Sequence, residues 1–396
     1  MRDGLTAGGG SVAGEAEAPG PAAGVSGGEL VDLFIRLASI RSPSREERDV
    51  ADAVVAYARE AGFSVEEDDS AVLSGCACGN LIVRVPGRGE GTPVALCAHL
   101  DTVPTDEAPT VVVENGVVRS DGRTVLGADD KAAVAALLLV LRDLGREAPA
   151  ADVEFVFTAG EEIGLQGAKA MELGDLRSRL VCVFDSEGAP GTVIRSAPTL
   201  KAVVARFHGT AAHSGIEPEH GRSAVVAAAR AVAAMRLGRL DADSTANVGL
   251  IKGGSAVNVV PEHCSVFAEV RSRDEALLAG HVTGMVEACT VAAAEAGVDL
   301  DLDIEEHFRG YTWDDGSLPL RLVDAALADA GIEAQHVAGG GGSDSNVFNA
   351  RGLPAVTLGV GFERVHSSHE SMRVDRLHRL YDLAHAIVRA AARTHE

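Results

Sequence analysis

Histidine, aspartate and glutamate recur in this sequence at one kind of position, just past an apolar run or just before a helical one. VALCA (94–98) is followed by His99-Leu100-Asp101, VEFVFT by Ala-Gly and then Glu161-Glu162, and VCVF (181–184) by Asp185. The apolar stretch ending near Gly361 is followed by His366, and Asp129, in LGADDKAAV, precedes a helical run that begins near Lys131. Taken singly, each has a plainer reading: His99 a core histidine, Asp101 and Asp185 turn residues, Asp129 and Asp130 helix caps, His366 and His369 loop surface. Their recurrence at strand ends is what sets those readings aside, because ligands of layered α/β sheets bind outside the carboxyl ends of the strands. The adjacent pair Glu161-Glu162 points the same way. Two like charges side by side in a cleft are tolerable when one binds a cation and the other holds or receives a proton.

Mixed imidazole and carboxylate donors suit zinc, with cobalt or manganese as substitutes, better than calcium. Two ions ~3.5–4 Å apart need one bridging carboxylate, and Asp129 is the natural bridge. With His99 and Asp185 on one ion and Glu162 and His366 on the other, each metal has three protein ligands and an open position. Asp101 would receive the second N–H of His99 and fix its tautomer. Glu161 then takes a proton from a metal-bridged water and returns it to the leaving amine.

Those residues require a rigid frame. Strand-like runs at 80–85, 94–98, 153–157 and 181–184 are continuously apolar and interleaved with helical stretches, notably 131–144, which describes a layered α/β domain with both sheet faces covered and a mixed sheet. ELVDLFIRLASI has helical spacing, and Ser44 with Glu47 forms a capping box for a second helix through about Ala61. Between about Ala197 and His307 the order becomes strand 200–208, helix 221–236, strands 246–252 and 264–271, helix 274–296 and strand 298–305, that of an inserted α+β ferredoxin-like unit. Helix 318–330, a glycine run at 339–342, strand 354–360 and a final helix from about 375 follow. The expected organisation is therefore a tail at 1–28, a catalytic domain from 29–196 and 308–396, and an inserted lid at 197–307. The tail is Gly, Ala and Pro rich, shows neither a signal-peptide core nor an Arg-rich presequence, and reads as disordered on a cytoplasmic protein.

Composition narrows the function. With 396 residues, 46% hydrophobic content and mean hydropathy +0.12, the chain can bury a large core, and no apolar run reads as a ~20-residue membrane span. A formal charge of −23 opposes nucleic-acid and anionic-membrane partners. The six cysteines are scattered; Cys97 and Cys182 sit in apolar strands and read as buried free thiols, and Cys76-x-Cys78 lacks a second pair at zinc-finger spacing. The glycine run is not a phosphate loop, since no Gly-Lys-Ser/Thr follows; it reads as a tight turn or a backbone surface for substrate, with Asp344 as a helix cap.

HLDTVPT, LGADDKAAV, FTAGEEIGLQGA, FDSEG, HGTAAHSG and GGSDSN, in this order and spacing, resemble the M20 family of metallopeptidases, in particular its peptidase T-like branch, from about residue 30 to the C-terminus. The resemblance implies a di-zinc catalytic domain, an inserted lid that often serves dimerisation, and hydrolysis of an amide next to a free carboxylate or amino group. It places the metal sites on His99, Asp129, Glu162, Asp185 and His366, the base on Glu161 and the supporting aspartate on Asp101. His366 is preferred to His369 because the family ligand lies four residues before a glutamate, here Glu370. His213 matches a lid histidine that reaches the substrate carbonyl, commonly from the partner subunit, and Asn258 a substrate contact. Arg271 reads either as a carboxylate grip or as a lid salt bridge. One departure stands out. Aminotripeptidases of this type carry an arginine directly before the Gly-Gly-Thr-Asp segment, and this chain has Gly340, which weakens recognition of a peptide's C-terminal carboxylate. The expected activity is cleavage of short peptides, the alternative is deacylase or carboxypeptidase-like action on N-acyl amino acids, and a third reading is a non-catalytic binding protein on the same fold, opposed by the intact ligand set.

Overall fold

The computed structural model describes residues 27–89 and 91–394. The expected tail lies outside them up to residue 26, while Gly27 already opens the first helix, Gly27–Ala38.

Nine strands form the larger sheet. Its centre runs Leu81–Val85, Val153–Thr158, Val94–His99, Leu180–Phe184 and Ala355–Leu358, and the last four are mutually parallel where they pair. Leu81–Val85 and Thr192–Ala197 join as antiparallel neighbours, so the sheet is mixed. The continuous apolar runs have the expected cause. Alternate residues such as Leu96, Phe155 and Phe157 enter the core under helices Gly27–Ala38, Ala128–Leu144 and Val374–Ala391, while Ala95, Cys97, Val156 and Val183 enter a second core on the opposite face. All six cysteines are free and buried. Parallel pairing puts the carboxyl ends of the 94–99, 153–158, 180–184 and 355–358 strands at one edge, the edge from which His99, Glu161, Glu162 and Asp185 emerge.

The second sheet has five strands in the order Gly238–Arg239, Ser244–Gly253, His263–Ser272, Thr199–His208 and Asp299–Phe308, all antiparallel. Helices Ala224–Ala234 and Glu275–Ala296 pack on it and on each other. The chain order of its four long strands and two helices is the one expected between residues 197 and 307. Helix Glu275–Ala296 is, by length and composition, apolar enough to cross a membrane, contrary to the sequence reading. In this fold Leu278, Val282, Met285, Cys289, Ala292 and Ala293 form its buried face.

One local expectation fails. The second helix is Arg48–Glu60, its cap residue Glu47 makes no side-chain capping bond, and no capping box forms. Ser44 Oγ instead donates to Asp101 Oδ2 at 2.7 Å and Glu47 accepts the Ala77 N–H, tertiary contacts that outweigh the local motif, while the other Glu47 oxygen accepts the nearby Arg45 N–H. A third, four-stranded sheet of Phe362–Glu363, Ser371–Arg373, Val117–Ser120 and Val111–Glu114 was not anticipated. Its strands are two to four residues long, too short for a period-2 pattern to register.

Candidate metal centre

Asp129 sits at the middle of the cluster. Its Oδ1 lies 3.1 Å from His99 Nε2 and its Oδ2 lies 3.4 Å from His366 Nε2, so one carboxylate faces two imidazoles with different oxygens. His366 Nε2 is also 3.1 Å from Glu162 Oε2, and His99 Nε2 is 3.9 Å from Asp185 Oδ1. The five expected ligands thus cluster around Asp129. Donor atoms of His99, Asp129 and Glu162 all fall within 4.8 Å of one another, and so do those of His99, Glu161 and Asp185. The second grouping puts Glu161 within reach of anything held by His99 and Asp185, as a base requires; distance alone does not separate base from ligand.

Each side chain is held by its backbone. Asp129 and Asp130 are non-helical (ψ 99° and 23°), so the regular helix begins after them, near Lys131 as expected. The peptide between the two aspartates is cis. Asp130 is fully buried, with Oδ2 accepting the His99 N–H at 3.2 Å. Asp101 does more than the sequence suggested and differently. Its carboxylate accepts the backbone N–H of Glu161 at 2.9 Å and of Glu162 at 3.1 Å, while His99 Nδ1 is nearer the Asp101 carbonyl oxygen (3.0 Å) than the carboxylate (3.5 Å). The tautomer-fixing contact therefore runs mainly to the main chain, and the carboxylate orients the glutamate pair. Gly160 makes that turn possible: its φ is +66°, and a Cβ there would lie 2.4 Å from Cys76 Sγ. His366 adopts φ +59°, a costly conformation for a non-glycine residue and one that concentrates at functional sites. His369 lies outside the cluster and its cavity.

The electrostatics suit divalent cations. Burial, then the Asp185 charge, pushes the Glu161 carboxyl well above its usual range, and burial does the same to Asp185. Both open partly onto the cavity. Burial also opposes ionisation of Asp129, but hydrogen bonds from His366 and His99 win and bring it down to about 2. Hydrogen bonds to Asp129 and Glu162 raise His366 to about 10. Four carboxylates facing two imidazoles leave an excess of negative charge that bound cations would neutralise, and the donor set fits zinc-class ions.

A cavity of about 410 Å³ opens over this cluster, walled by Ile194, Ala197, Thr357 and the glycine run. Gly342 lies against the Phe308 ring, where a Cβ would come within 2.4 Å. Asp344 does not cap the helix that follows. Ser343 does, in a capping box with Asn346, because the buried Asp344 is engaged by Thr158 Oγ1 at 2.6 Å. His213 and Asn258 are not brought to the cavity. Both belong to an exposed projection of the second sheet, where His213 pairs with Val259 and the Asn258 carbonyl accepts the Ser214 N–H. Arg271 forms a salt bridge with Glu269 and places Nη1 3.4 Å from the Gly340 carbonyl oxygen, beside the cavity wall. Sequence reasoning missed Asp130, Ser44 and the holding role of Glu370, which carry no local signal beyond the four-residue spacing of Glu370 from His366.

The chain is similar to known proteins over most of its length. The model of peptidase family M20/M25/M40 matches residues 95–390. The YqjE protein of Bacillus subtilis is 35% identical over 365 residues, covering 92% of this chain and 98% of that one. Among solved structures, the aminopeptidase PepT of Bacillus cereus is 33% identical with a TM-score of 0.83, and a tripeptidase of Staphylococcus aureus is 31% identical with a TM-score of 0.87; each comparison covers 93% of this chain and 99% of the other.

Proposed function

Because the chain belongs to peptidase family M20/M25/M40, we propose that it is a di-zinc hydrolase cleaving the amide bonds of short peptides, with Glu161 as its general base and acid. The observation that carries this is the bridging geometry of Asp129, one oxygen toward His99 and the other toward His366. His99, Asp129 and Asp185 would hold one cation, and Asp129, Glu162 and His366 the other. Such a pair, when bound, polarises a carbonyl and acidifies a water at neutral pH. Glu161 would then accept a proton and deliver it to the departing amine. Asp101 keeps the base and the neighbouring ligand in register through their backbone N–H groups. Residues 29–196 and 308–396 form the catalytic part in this reading, and 197–307 an inserted ferredoxin-like lid. The exposed position of His213 suits a lid that serves the cavity of a second subunit, with His213 stabilising the carbonyl oxygen as charge develops there. Asn258 and Arg271 would contact substrate from the same lid.

Gly340 stands where the resemblance implies an arginine that grips a peptide's C-terminal carboxylate, which argues against strict tripeptidase action; deacylation of N-acyl amino acids is the second reading. Hydrolysis of a mixed set of di- and tripeptides and N-acyl amino acids by zinc-loaded protein, with a chelated control, separates the two. Cleavage of unblocked peptides supports the first, cleavage confined to acylated compounds supports the second, and no metal-dependent cleavage overturns both.

A further inference from the structure

Five carboxylates line the cavity: Asp129, Glu161, Glu162, Asp185 and Glu187. Four belong to the metal and proton-transfer machinery. Glu187 does not, and among the described residues it has no hydrogen bond or ion pair. The described lining contains no lysine or arginine; its one cationic side chain, His366, is turned onto Asp129 and Glu162. Arg271, behind the glycine wall, is paired with Glu269. With the other four carboxylates assigned to the cations and to proton transfer, Glu187 is the lining carboxylate left to meet a substrate group, and no lysine or arginine of the described lining competes for it.

The turn bearing Glu187 is well anchored. Asp185 N–H donates to the Leu358 carbonyl at 3.2 Å, Val360 N–H donates to the Ser186 carbonyl at 2.9 Å, and Gly188 packs so tightly that a Cβ would lie 2.4 Å from Thr192 Oγ1. Two peptide units separate Glu187 from Asp185, so their Cα atoms are at most about 7 Å apart. A carboxylate carried on that anchored turn lies within one residue's reach of the bond being cleaved.

We infer that Glu187 is a specificity-determining residue that receives the free α-amino group of the substrate, so that this site selects unblocked N-termini. The inference rests on the hydrolase reading above and decides between its two substrate classes. An ammonium donating to a carboxylate forms a charge-assisted hydrogen bond, whereas an acylated nitrogen offers one neutral N–H and leaves Glu187 facing a carbonyl oxygen of its own sign.

The test measures kcat/KM of the zinc-loaded full-length protein on a short peptide and on its N-formyl counterpart, the smallest block that removes the charge. The wild type is expected to prefer the free peptide. Glu187→Gln is expected to lower the ratio of the two kcat/KM values by about tenfold or more, mainly through KM for the free peptide, at unchanged zinc stoichiometry. Glu187→Asp is expected to restore part of the ratio, and Glu187→Lys, a charge reversal at an exposed position, to shift preference to the blocked peptide. A wild type that cleaves both equally, or a ratio that Gln and Lys leave unmoved, overturns the role of Glu187 while the hydrolase reading stands. Absence of metal-dependent cleavage of either compound overturns both.

Discussion

Glu370 holds the backbone of Asp129. Its Oε1 accepts the Asp129 N–H at 2.9 Å, while Oε2 accepts the N–H groups of Leu126 and Gly127, each at 2.8 Å. One buried carboxylate thus satisfies three donors that the chain leaves open where it turns into the helix after Asp129. The same glutamate closes the loop carrying His366 and leads into the Ser371–Arg373 strand, so a single residue ties both sides of the cluster together.

Glu370→Ala should therefore remove three hydrogen bonds to a charged acceptor and leave buried N–H groups unpaired, lowering stability by about 2–4 kcal/mol. Zinc content should fall with it, since both Asp129 and His366 lose their support. Urea unfolding and elemental analysis read the two effects, and a variant with wild-type stability and metal content would show that Glu370 is dispensable.

Glu161→Gln should retain metal and lose about 10²–10⁴-fold in kcat, because the amide cannot take up the proton. Glu162→Ala should instead lower metal stoichiometry, with the loss confined to the His366 side of the site. Full turnover in the first variant, or unchanged zinc in the second, would reverse the roles assigned to this pair.

Chelation should destabilise the fold as well as stop activity. Zinc held only by the native state at about 100 times its Kd contributes about 2.7 kcal/mol. Thermal unfolding with and without a chelator measures the difference, and an unchanged Tm would argue against ions bound to the native cluster.

A separate pH dependence belongs to the contact between helices Ala128–Leu144 and Val374–Ala391. Asp143 accepts from Tyr381 Oη at 2.5 Å and from Arg142 Nη2 at 2.8 Å, and lies 3.5 Å from His385 Nε2. Burial opposes the charge of Asp143, but the bonds from Tyr381 and Arg142 prevail and hold its pKa below the usual range; burial also lowers His385. A depressed carboxylate stabilises the fold above its unfolded pKa, and that contribution is lost as pH falls through the folded value; a depressed histidine likewise loses its contribution as pH falls below the unfolded value. Stability should accordingly decline as pH drops from about 6.5 through about 3.9 and below. Asp143→Asn should flatten the acid end of that decline and cost about 1 kcal/mol at neutral pH. Parallel pH profiles of wild type and variant would contradict this.

The strand-end residues were legible because their signal is local. A run such as VEFVFT is apolar throughout since both faces are covered, and parallel pairing delivers every following residue to one edge, so His99, Glu161, Glu162 and Asp185 could be assigned to one rim from sequence. His366 joined them as a residue past the apolar stretch ending near Gly361, and Asp129 as the residue before a helical run. The alternation of helices and long strands between residues 197 and 307 was equally readable, because each of those elements buries one regular face.

What the tertiary structure alone decided are contacts between distant segments whose local sequence favours something else. Ser44 and Glu47 form a sound capping motif, yet Ser44 is drawn to Asp101, 57 positions away. Asp344 looks like a cap and is instead bound by Thr158, 186 positions away. Glu370 reaches Asp129 across 241 positions. A buried donor or acceptor gains more from a partner that removes an unsatisfied group from the core than an exposed residue gains from its neighbour in sequence, and which partner is near enough depends on packing of the whole chain.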